Sequence, residues 1–337
     1  MNTRKIYLVT GGAGFIGSHT VDLLLANNNE VRVIDNLKNG IMKNLRQHAY
    51  NPNFTFLEAD VTNIDTSSAI FADVDYLIHF AGLGDIVPSI ESPLDYFSVN
   101  CLGTARMMEA ARINSIKRVV YAASSSCYGI ASVPTVEEHP ISTEYPYALT
   151  KYLGELTAFH WGKVYNIEVN SIRIFNAYGT RSKTSGNYGA VFGVFLKQML
   201  SGKPLTVVGS GNQARDFVYV TDVARAFQLA ATEPIFGEIF NVGAGNPRKI
   251  NDIVSIFNID SVSIPERPAE PSVTWAKIDK ISKALGWHPE ISLEEGIERM
   301  MGDLETWSEA PLWDPISIEI ATTSWFKFLG KEKKEAT

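Results

Sequence analysis

Three glycines at intervals of three stand between an apolar run and a helix-like segment near the start of the chain, and they constrain the fold most. The run IYLVT covers residues 6–10, the loop GGAGFIG covers 11–17, and SHTVDLLLAN follows. Gly11 suits a tight turn, Gly14 a close approach of backbone to a pyrophosphate, and Gly17 close packing of helix on strand. A helix N-terminus after such a loop attracts negative charge. The loop therefore predicts a strand-turn-helix unit that binds a dinucleotide.

The acidic residue at the end of the next apolar run indicates which dinucleotide fits. The run EVRVID ends at Asp35, 18 residues beyond the last glycine of the loop. A carboxylate there can accept hydrogen bonds from an adenosine ribose and would repel a 2′-phosphate. We predict NAD, while the nearby cations of Arg32 and Lys38 keep NADP open as the alternative. Asp60 and Val61, at the end of FTFLEADV, are candidates for contact with the adenine, although a turn-forming aspartate is an equally good interpretation.

Apolar runs alternate with helix-like segments through the first half of the chain. The runs are IYLVT, EVRVID, VDYLIHFA at 74–81, RVVYAAS at 118–124 and VNSIRIFN at 169–176. This alternation predicts an α/β fold, a Rossmann-type doubly wound parallel sheet with right-handed crossovers. We predict an NAD-binding domain over residues 1–176, completed by a strand and a helix from about 215–245, and a smaller, mainly substrate-binding region over 177–330. Residues 331–337 are predicted to be a disordered tail.

Composition excludes several classes of protein. The formal charge of −7 gives no basic surface for nucleic acid or for an anionic membrane. No uninterrupted apolar stretch approaches the roughly 20 residues that span a bilayer. Cys101, Cys127 and the six histidines lack metal or redox spacing. Neither disulfides nor a structural metal are indicated, and the cytoplasm is the default location.

The segment YPYALTK, residues 145–151, contains two tyrosines, of which only one can lie beside the lysine. Pro146 suits the first turn of a helix, so Tyr147 and Lys151 share a helix face at i and i+4. Tyr145 precedes the proline and is pushed to an extended conformation. Lowering the pKa of a phenol from about 10 to about 7 takes roughly 4 kcal/mol, which one cation about 4 Å away can supply. We predict Tyr147 as a catalytic base assisted by Lys151, although such a pair alone is more often an ordinary exposed one.

A run of serines follows the fourth predicted strand. The segment SSSCYG covers residues 124–129, and open parallel sheets bind ligands at the carboxyl ends of their strands. Ser124 can hydrogen-bond a reacting hydroxyl there. The alternative interpretation is a polar turn with capping serines.

Together these segments resemble the extended short-chain dehydrogenase/reductase family, in particular its nucleotide-sugar epimerase and dehydratase branch. The resemblance covers most of the chain and is carried by TGGAGFIG, DN at 35–36, HFAG at 79–82, VNCLGT at 99–104, SSSCYG, YALTK, RIFNAYGTR at 173–181, RDFVYVTDVARA at 215–226 and FNVGAG at 240–245. It implies a catalytic triad in which Tyr147 is the base, Lys151 holds the nicotinamide ribose and Ser124 is the third member.

The resemblance also implies two sets of binding residues. The cofactor set is Gly11, Gly14, Phe15, Ile16, Gly17, Asp35, Asn36, Asp60, Val61, Ala81, Gly82, Asn100, Tyr147 and Lys151. The set for a nucleoside-diphosphate sugar is Ser89, Ser125, Ser126, Asn176, Arg215, Arg267 and Glu270. Arginines suit phosphates, although most arginines are surface charges. Ser89 has the alternative of a plain turn residue, and Glu270 either reaches a ribose or faces water.

The residues after Ser124 narrow the chemistry. Family dehydratases carry an Asp-Glu pair where Ser125 and Ser126 stand, and related decarboxylases have a glutamate at the second place, so both reactions are disfavoured. The remaining possibility is hydride chemistry at a sugar carbon. In the epimerase mechanism that the resemblance implies, Tyr147 removes the 4-hydroxyl proton, NAD takes the C4 hydride, and a 4-keto sugar turns over before the hydride returns. The alternatives are a 4-dehydrogenase that releases the keto sugar and a non-catalytic NAD-binding protein.

Other features depart from the family pattern or add to it. The segment RPAE has Ala269 and Glu270 where relatives often have glycine and aspartate. Residues 302–330 match no family motif, and their three tryptophans suggest packing or a subunit contact. The resemblance implies a homodimer or higher homo-oligomer, assembled through the helices after NCLGT and at YALTK.

Overall fold

A computed structural model of the protein describes residues 4–182 and 191–330, which form strands and helices in regular alternation. The strands are β1 (Ile6–Thr10), β2 (Glu30–Asp35), β3 (Phe54–Glu58), β4 (Tyr76–His79), β5 (Arg118–Ser124), β6 (Glu168–Ile174), β7 (Asn176–Tyr178), β8 (Leu205–Val208), β9 (Ala214–Arg215), β10 (Phe217–Tyr219), β11 (Ile239–Val242), β12 (Arg248–Lys249) and β13 (Ser261–Ile264). The helices are α1 (Phe15–Ala26), α2 (Ile86–Glu91), α3 (Pro93–Tyr96), α4 (Thr104–Ile113), α5 (Pro146–Tyr165), α6 (Val191–Leu200), α7 (Val220–Thr232), α8 (Ile250–Phe257), α9 (Asp279–Leu285), α10 (Leu293–Met301), α11 (Leu304–Ser308) and α12 (Pro315–Leu329).

A parallel sheet of seven strands forms the centre of the molecule, in the order β3-β2-β1-β4-β5-β6-β11. This confirms the predicted α/β fold with a Rossmann-type doubly wound sheet. From β1 the strands follow in sequence order to β3 at one edge of the sheet, and from β4 they follow in sequence order to β11 at the other edge. The chain crosses over on opposite sides of the β1–β4 pair, and a crevice opens at their carboxyl ends.

Helices cover both faces of this sheet, which explains why its strands are nearly continuous apolar runs. Val9 and Val33 pack with residues of α1 and α7 on one face. Leu8 and Ile34 pack with residues of α4 and α5 on the other face. All seven residues of β5 are buried. Burial of the sheet on both sides leaves its strand ends as the natural place for polar ligands.

The run VNSIRIFN, predicted as one strand, is divided in the structure. After β6, the amide of Phe175 donates to the carbonyl of Val242 at 2.9 Å. From Asn176 the chain forms β7, which pairs with β10 outside the central sheet. The partners of the two halves lie far away in sequence, so the break has no local signal.

Later parts of the chain return to the central sheet. β11 pairs with β6 in parallel, and α7 packs against α1, in the stretch predicted to complete the dinucleotide-binding unit. A third apolar cluster joins α6, α8 and α10, and it includes the buried Trp307 of α11. The division into two domains stays a prediction.

The end of the described chain packs on the rest of the molecule. Trp307 donates its indole N–H to the carbonyl of Met300 at 3.2 Å, and Trp325 of α12 donates to the carbonyl of Pro268 at 2.8 Å. Both contacts fit the packing alternative for these tryptophans. The predicted disordered tail, 331–337, lies outside the described residues. Among the helices of residues 4–182 and 191–330, none is both long and apolar enough to cross a membrane.

Candidate active site

A cleft with a volume of about 370 Å³ lies at the carboxyl ends of the central strands. All but one of the fourteen predicted cofactor residues line it: Gly11, Gly14, Phe15, Ile16, Gly17, Asp35, Asn36, Asp60, Val61, Ala81, Gly82, Tyr147 and Lys151. The exception is Asn100, which is buried behind the wall. Its side-chain oxygen accepts the amide of Leu83 at 2.7 Å, and its side-chain nitrogen donates to the carbonyl of the same residue at 3.1 Å. Asn100 therefore shapes the cleft through a neighbouring loop.

The glycine loop has a shape that a side chain would fill. A Cβ atom on Gly17 would lie 2.2 Å from the carbonyl oxygen of Gly11, and one on Gly14 would lie 3.1 Å from the same atom. Gly11 itself has a φ of +69°, and a Cβ there would lie 2.8 Å from the amide of Ala81. Gly14 is the N-cap of α1 and has no side chain, so the first amides of the helix stay available to an anion. The loop fits the diphosphate of a dinucleotide.

Two acidic side chains, Asp35 and Asp60, also line the cleft. Asp35 is 7% exposed, and its carboxylate accepts the amides of Ala13 at 3.0 Å and Leu37 at 2.8 Å. Burial raises the pKa of Asp35, and these two backbone hydrogen bonds oppose the change. Asp60 accepts both the amide and the hydroxyl of Thr62, at 2.8 and 2.7 Å. Asp60 thus forms a turn and lines the cleft at once, so neither interpretation of it is excluded.

Tyr147 lies where α5 meets the serine turn. The Tyr147 hydroxyl lies near Ser124 and Ser126, both of which lower its pKa, and the hydroxyl oxygens of the two serines lie 2.7 Å apart. Tyr145 is the extended N-cap residue of α5, with φ −150° and ψ 163°. Its ring is nearly parallel to that of Tyr147, with centroids 6.4 Å apart, and its hydroxyl is hydrogen-bonded with Ser126. The structure therefore brings both tyrosines and the serines into one cluster.

The electrostatic surroundings of this cluster differ from the simplest expectation. Burial raises the pKa of Tyr147, while its hydrogen bond with Ser124 lowers it. Burial lowers the pKa of Lys151 to about 8, while the charge of Glu155 raises it. The Lys151 ammonium lies over the Tyr121 ring, 4.6 Å from the centroid. The chain by itself therefore raises the pKa of Tyr147, because desolvation outweighs the hydrogen bonds.

A buried polar network joins α5 to β6 one helical turn beyond Lys151. Glu155, one helical turn beyond Lys151, forms an ion pair with Arg173 of β6 at 2.6 Å, and both side chains are buried. Arg173 also donates to the Tyr128 hydroxyl at 2.9 Å, and Ser171 donates to Glu155 at 2.7 Å. The signal for this network was present in the sequence, since VNSIRIFN carries polar residues inside a run otherwise typical of a buried strand. No motif pointed to its partner on α5.

Four of the predicted substrate residues meet in a second group, the arginine wall, whose members are not among the residues that line the cleft: Asn176, Arg215, Arg267 and Glu270. Arg215 donates to Glu270 at 2.8 Å, and Arg267 lies 3.9 Å from the same carboxylate. Asn176 accepts the hydroxyl of Thr274 at 2.7 Å, and that hydroxyl oxygen accepts the amide next to Arg215. The charge of Glu270 also acts on the Tyr145 hydroxyl, so this wall and the catalytic cluster are near neighbours.

The remaining predicted substrate residues are placed differently from one another. Ser125 and Ser126 are half-buried in the turn after β5. Ser89 is fully buried, and it donates to the carbonyl of Ile86 on its own helix at 2.6 Å. The structure does not bring Ser89 to the cleft surface, because its hydroxyl is used inside α2. Other lining residues were not assigned to the cofactor from the sequence, and they include polar as well as apolar side chains: Ile34, Lys38, Asn39, Gly40, Ala59, Phe80, Leu83, Gly84, Asp85, Val99, Ala122, Ala123 and Ile174.

Known proteins share both the sequence pattern and the fold. Residues 7–243 match the NAD dependent epimerase/dehydratase family. A UDP-glucuronate 4-epimerase of Thermodesulfobacterium geofontis is 35% identical over 308 residues, which cover 87% of this chain and 94% of the relative. A UDP-glucose 4-epimerase of Mycolicibacterium smegmatis is 32% identical over 302 residues, which cover 87% of this chain and 96% of the relative.

A solved structure extends the similarity to three dimensions. The UDP-glucuronic acid 4-epimerase of Bacillus cereus, in complex with UDP-glucuronic acid and NAD, matches with a TM-score of 0.83 and 31% identity. The match covers 89% of this chain and 99% of that one. About a tenth of this chain therefore has no counterpart in that structure.

Proposed function

The chain belongs to the NAD-dependent epimerase/dehydratase family, and from this premise we propose which of its groups invert C4 of a nucleotide-linked sugar. It is an NAD-dependent nucleotide-sugar 4-epimerase, and we propose a uridine-diphosphate sugar as its substrate because the relatives above act on UDP-linked sugars. The observation that carries the proposal is that Tyr147 and Lys151, one helical turn apart on α5, both line the cleft, with Ser124 near the Tyr147 hydroxyl.

The cofactor site is proposed along the cleft. The glycine loop and the N-terminus of α1 bind the diphosphate of NAD, Asp35 accepts the adenosine ribose, and Lys151 binds the ribose at the other end. When bound, NAD accepts the hydride from C4 of the sugar and returns it to the other face. Asn100 holds the loop at Leu83 in place. The Asp35 carboxylate also disfavours the 2′-phosphate of NADP.

The proton of the 4-hydroxyl group is assigned to Tyr147. Ser124 stabilises the phenolate by donating a hydrogen bond, and Ser126 holds Ser124 in place at 2.7 Å. Burial raises the pKa of Tyr147, so positive charge must lower it again before it can act as a base. Lys151 and the positive ring of oxidised nicotinamide are the groups proposed to supply that charge.

The diphosphate of the substrate is assigned to the wall formed by Arg215 and Arg267. Two guanidinium groups that share one carboxylate already form an anion site, and a diphosphate carries more charge than Glu270. Glu270 then becomes free to accept a ribose hydroxyl. Asn176 lies beside this wall and is proposed to bind the ribose or the diphosphate.

Purified protein incubated with UDP-glucose, UDP-glucuronate, UDP-N-acetylglucosamine and a GDP-linked sugar tests the reaction. We expect proton NMR to show the C4 epimer of at least one UDP-sugar, with no net formation of NADH. Accumulating NADH with a released keto sugar would favour the 4-dehydrogenase instead. If no sugar nucleotide is converted, the proposal fails.

The proposed assembly and location follow from the exposed apolar residues and from the cysteines. We propose a homodimer through α4 and α5, since both helices expose apolar side chains, among them Ile113 and Leu156. We propose the cytoplasm as the location because Cys101 and Cys127 are free thiols, which suits a reducing compartment.

A further inference from the structure

The last helix of the described chain reaches back to the loop that carries Arg267. Trp325 of α12 donates its indole N–H to the carbonyl oxygen of Pro268 at 2.8 Å. The Arg267 guanidinium lies over the indole ring, 5.5 Å from its centroid, and Trp325 is buried. One side chain on α12 therefore contacts both the backbone and the charged group of the same loop.

This loop needs contacts of that kind. Ala269 has a φ of +57°, in the left-handed region that favours glycine and is unfavourable for residues with a side chain. Such a conformation persists only where the surrounding structure holds it. The hydrogen bond from Trp325 to Pro268, the residue directly before Ala269, helps to hold it.

Glu270 of the arginine wall holds Arg215 and Arg267 to different degrees. Glu270 lies 2.8 Å from Arg215 but 3.9 Å from Arg267. The Trp325 ring adds a constraint on Arg267 that this ion pair supplies only weakly. A guanidinium held over an indole ring loses side-chain freedom before a ligand arrives, so less entropy is lost when the ligand binds.

The same helix also contacts α2, the helix that follows a loop bordering the cofactor cleft. Ser324 donates to the carboxylate of Glu91 at 2.8 Å, and α12 packs against α2. The residues just before α2, Gly84 and Asp85, line the cleft. α12 thus connects the arginine wall with one border of the cleft.

We propose that Trp325 is a positioning residue for substrate binding, which orients Arg267 toward the diphosphate of the nucleotide sugar. The inference rests on the proposed function, in which Arg215 and Arg267 bind that diphosphate. Because Trp325 touches the arginine loop and acts through Arg267, it contributes to binding of the nucleotide and leaves the proton and hydride steps unchanged.

The test uses full-length protein with NAD and measures the Kd of UDP and the kinetics of the UDP-sugar that the wild type converts. We expect Trp325→Leu to raise the Kd of UDP and the KM about tenfold, with kcat within about twofold of wild type. Trp325→Phe keeps a ring but loses the N–H donor, so its Kd and KM should lie between those of the wild type and those of Trp325→Leu. Trp307→Phe is the control, since it removes a buried indole N–H from α11, away from the loop, and should lower stability with the Kd of UDP unchanged.

A double variant separates positioning from general loss of structure. In an Arg267→Ala background, adding Trp325→Leu should not change the Kd of UDP further, since the group through which it acts is gone. The inference is overturned if Trp325→Leu and Trp325→Phe bind UDP like the wild type, or if the loss is the same with and without Arg267. The inference is also overturned if the wild type converts its sugar but Arg267→Ala binds UDP as tightly as the wild type does. The epimerase reaction would still stand in that case. A wild type that converts no sugar nucleotide overturns the proposed function itself.

Discussion

Single residues around Tyr147 push its pKa in opposite directions. Burial raises it, and the hydrogen bond with Ser124 lowers it. A phenol that stays protonated until a cation lies beside it acts as a base only in the presence of that cation. The reaction would then begin only with Lys151 charged and oxidised cofactor in place, which protects the site from unproductive proton loss.

The two tyrosines of YPYALTK should differ sharply in their contribution to turnover. Tyr147→Phe removes the group that accepts the substrate proton, and we expect kcat to fall about 10³-fold while NAD stays bound. Tyr145→Phe removes only a hydroxyl that interacts with Ser126, and we expect a loss of less than about tenfold. Steady-state kinetics and NAD titration of both variants measure this. Equal losses, or a Tyr147→Phe variant with normal turnover, would contradict the assignment.

The charge of Lys151 should set the alkaline limit of activity. Burial lowers the pKa of Lys151 to about 8, so the ammonium is present below that pH and is lost as the pH rises through it. We expect kcat/KM to decline above a pH of about 8, because the phenolate of Tyr147 loses its cationic neighbour. Lys151→Arg keeps its charge at every working pH, so its activity should be lower but free of this decline. A decline that persists in the Lys151→Arg variant would assign it to another group.

Among the structural elements, the start of α1 and the turn before it leave little room for change. A Cβ atom on Gly17 would lie 2.2 Å from the Gly11 carbonyl oxygen, whereas one on Gly84, in the same cleft, would have no atom within 4 Å. We expect Gly17→Ala to lower the free energy of unfolding by about 1–3 kcal/mol and to weaken NAD binding at least tenfold. Gly84→Ala should stay within about 0.5 kcal/mol of wild type. Denaturant unfolding and NAD titration compare them, and similar behaviour of the two variants would argue against a tightly packed turn.

The contact between α5 and β6 depends on a buried ion pair. Glu155→Gln leaves the buried Arg173 guanidinium without its charged partner, and we expect the free energy of unfolding to fall by about 3–5 kcal/mol. Glu295 forms an exposed ion pair with Arg299 at 2.7 Å on α10, so Glu295→Gln should cost less than about 1 kcal/mol. Urea unfolding of the two variants tests the contrast. A small effect at Glu155 would mean that water or another group replaces the carboxylate.

At the scale of the whole molecule, the features that could be predicted from the sequence are those that depend on residues close together in the chain. The glycine loop predicted a strand, a turn and a helix. Asp35 was predicted at a strand end, and Pro146 was predicted at the start of a helix. The break between β6 and β7 depends on Val242 and on β10, far along the chain. The contact between the Arg267 guanidinium and the Trp325 ring also joins residues far apart in the chain, so no local pattern in the sequence indicated it.

Association of two chains is the remaining property of the whole molecule, and the exposed apolar residues provide its test. Leu156 on α5 is 46% exposed and Ile320 on α12 is 71% exposed. If α4 and α5 form the dimer contact, Leu156→Arg places a charge in a desolvated interface, whereas Ile320→Arg stays in water. Light scattering should give twice the chain mass of 37.2 kDa for the wild type and Ile320→Arg, and a single chain mass for Leu156→Arg. Dissociation by Ile320→Arg alone would instead place the subunit contact on α12, the helix whose Trp325 also contacts the Arg267 loop.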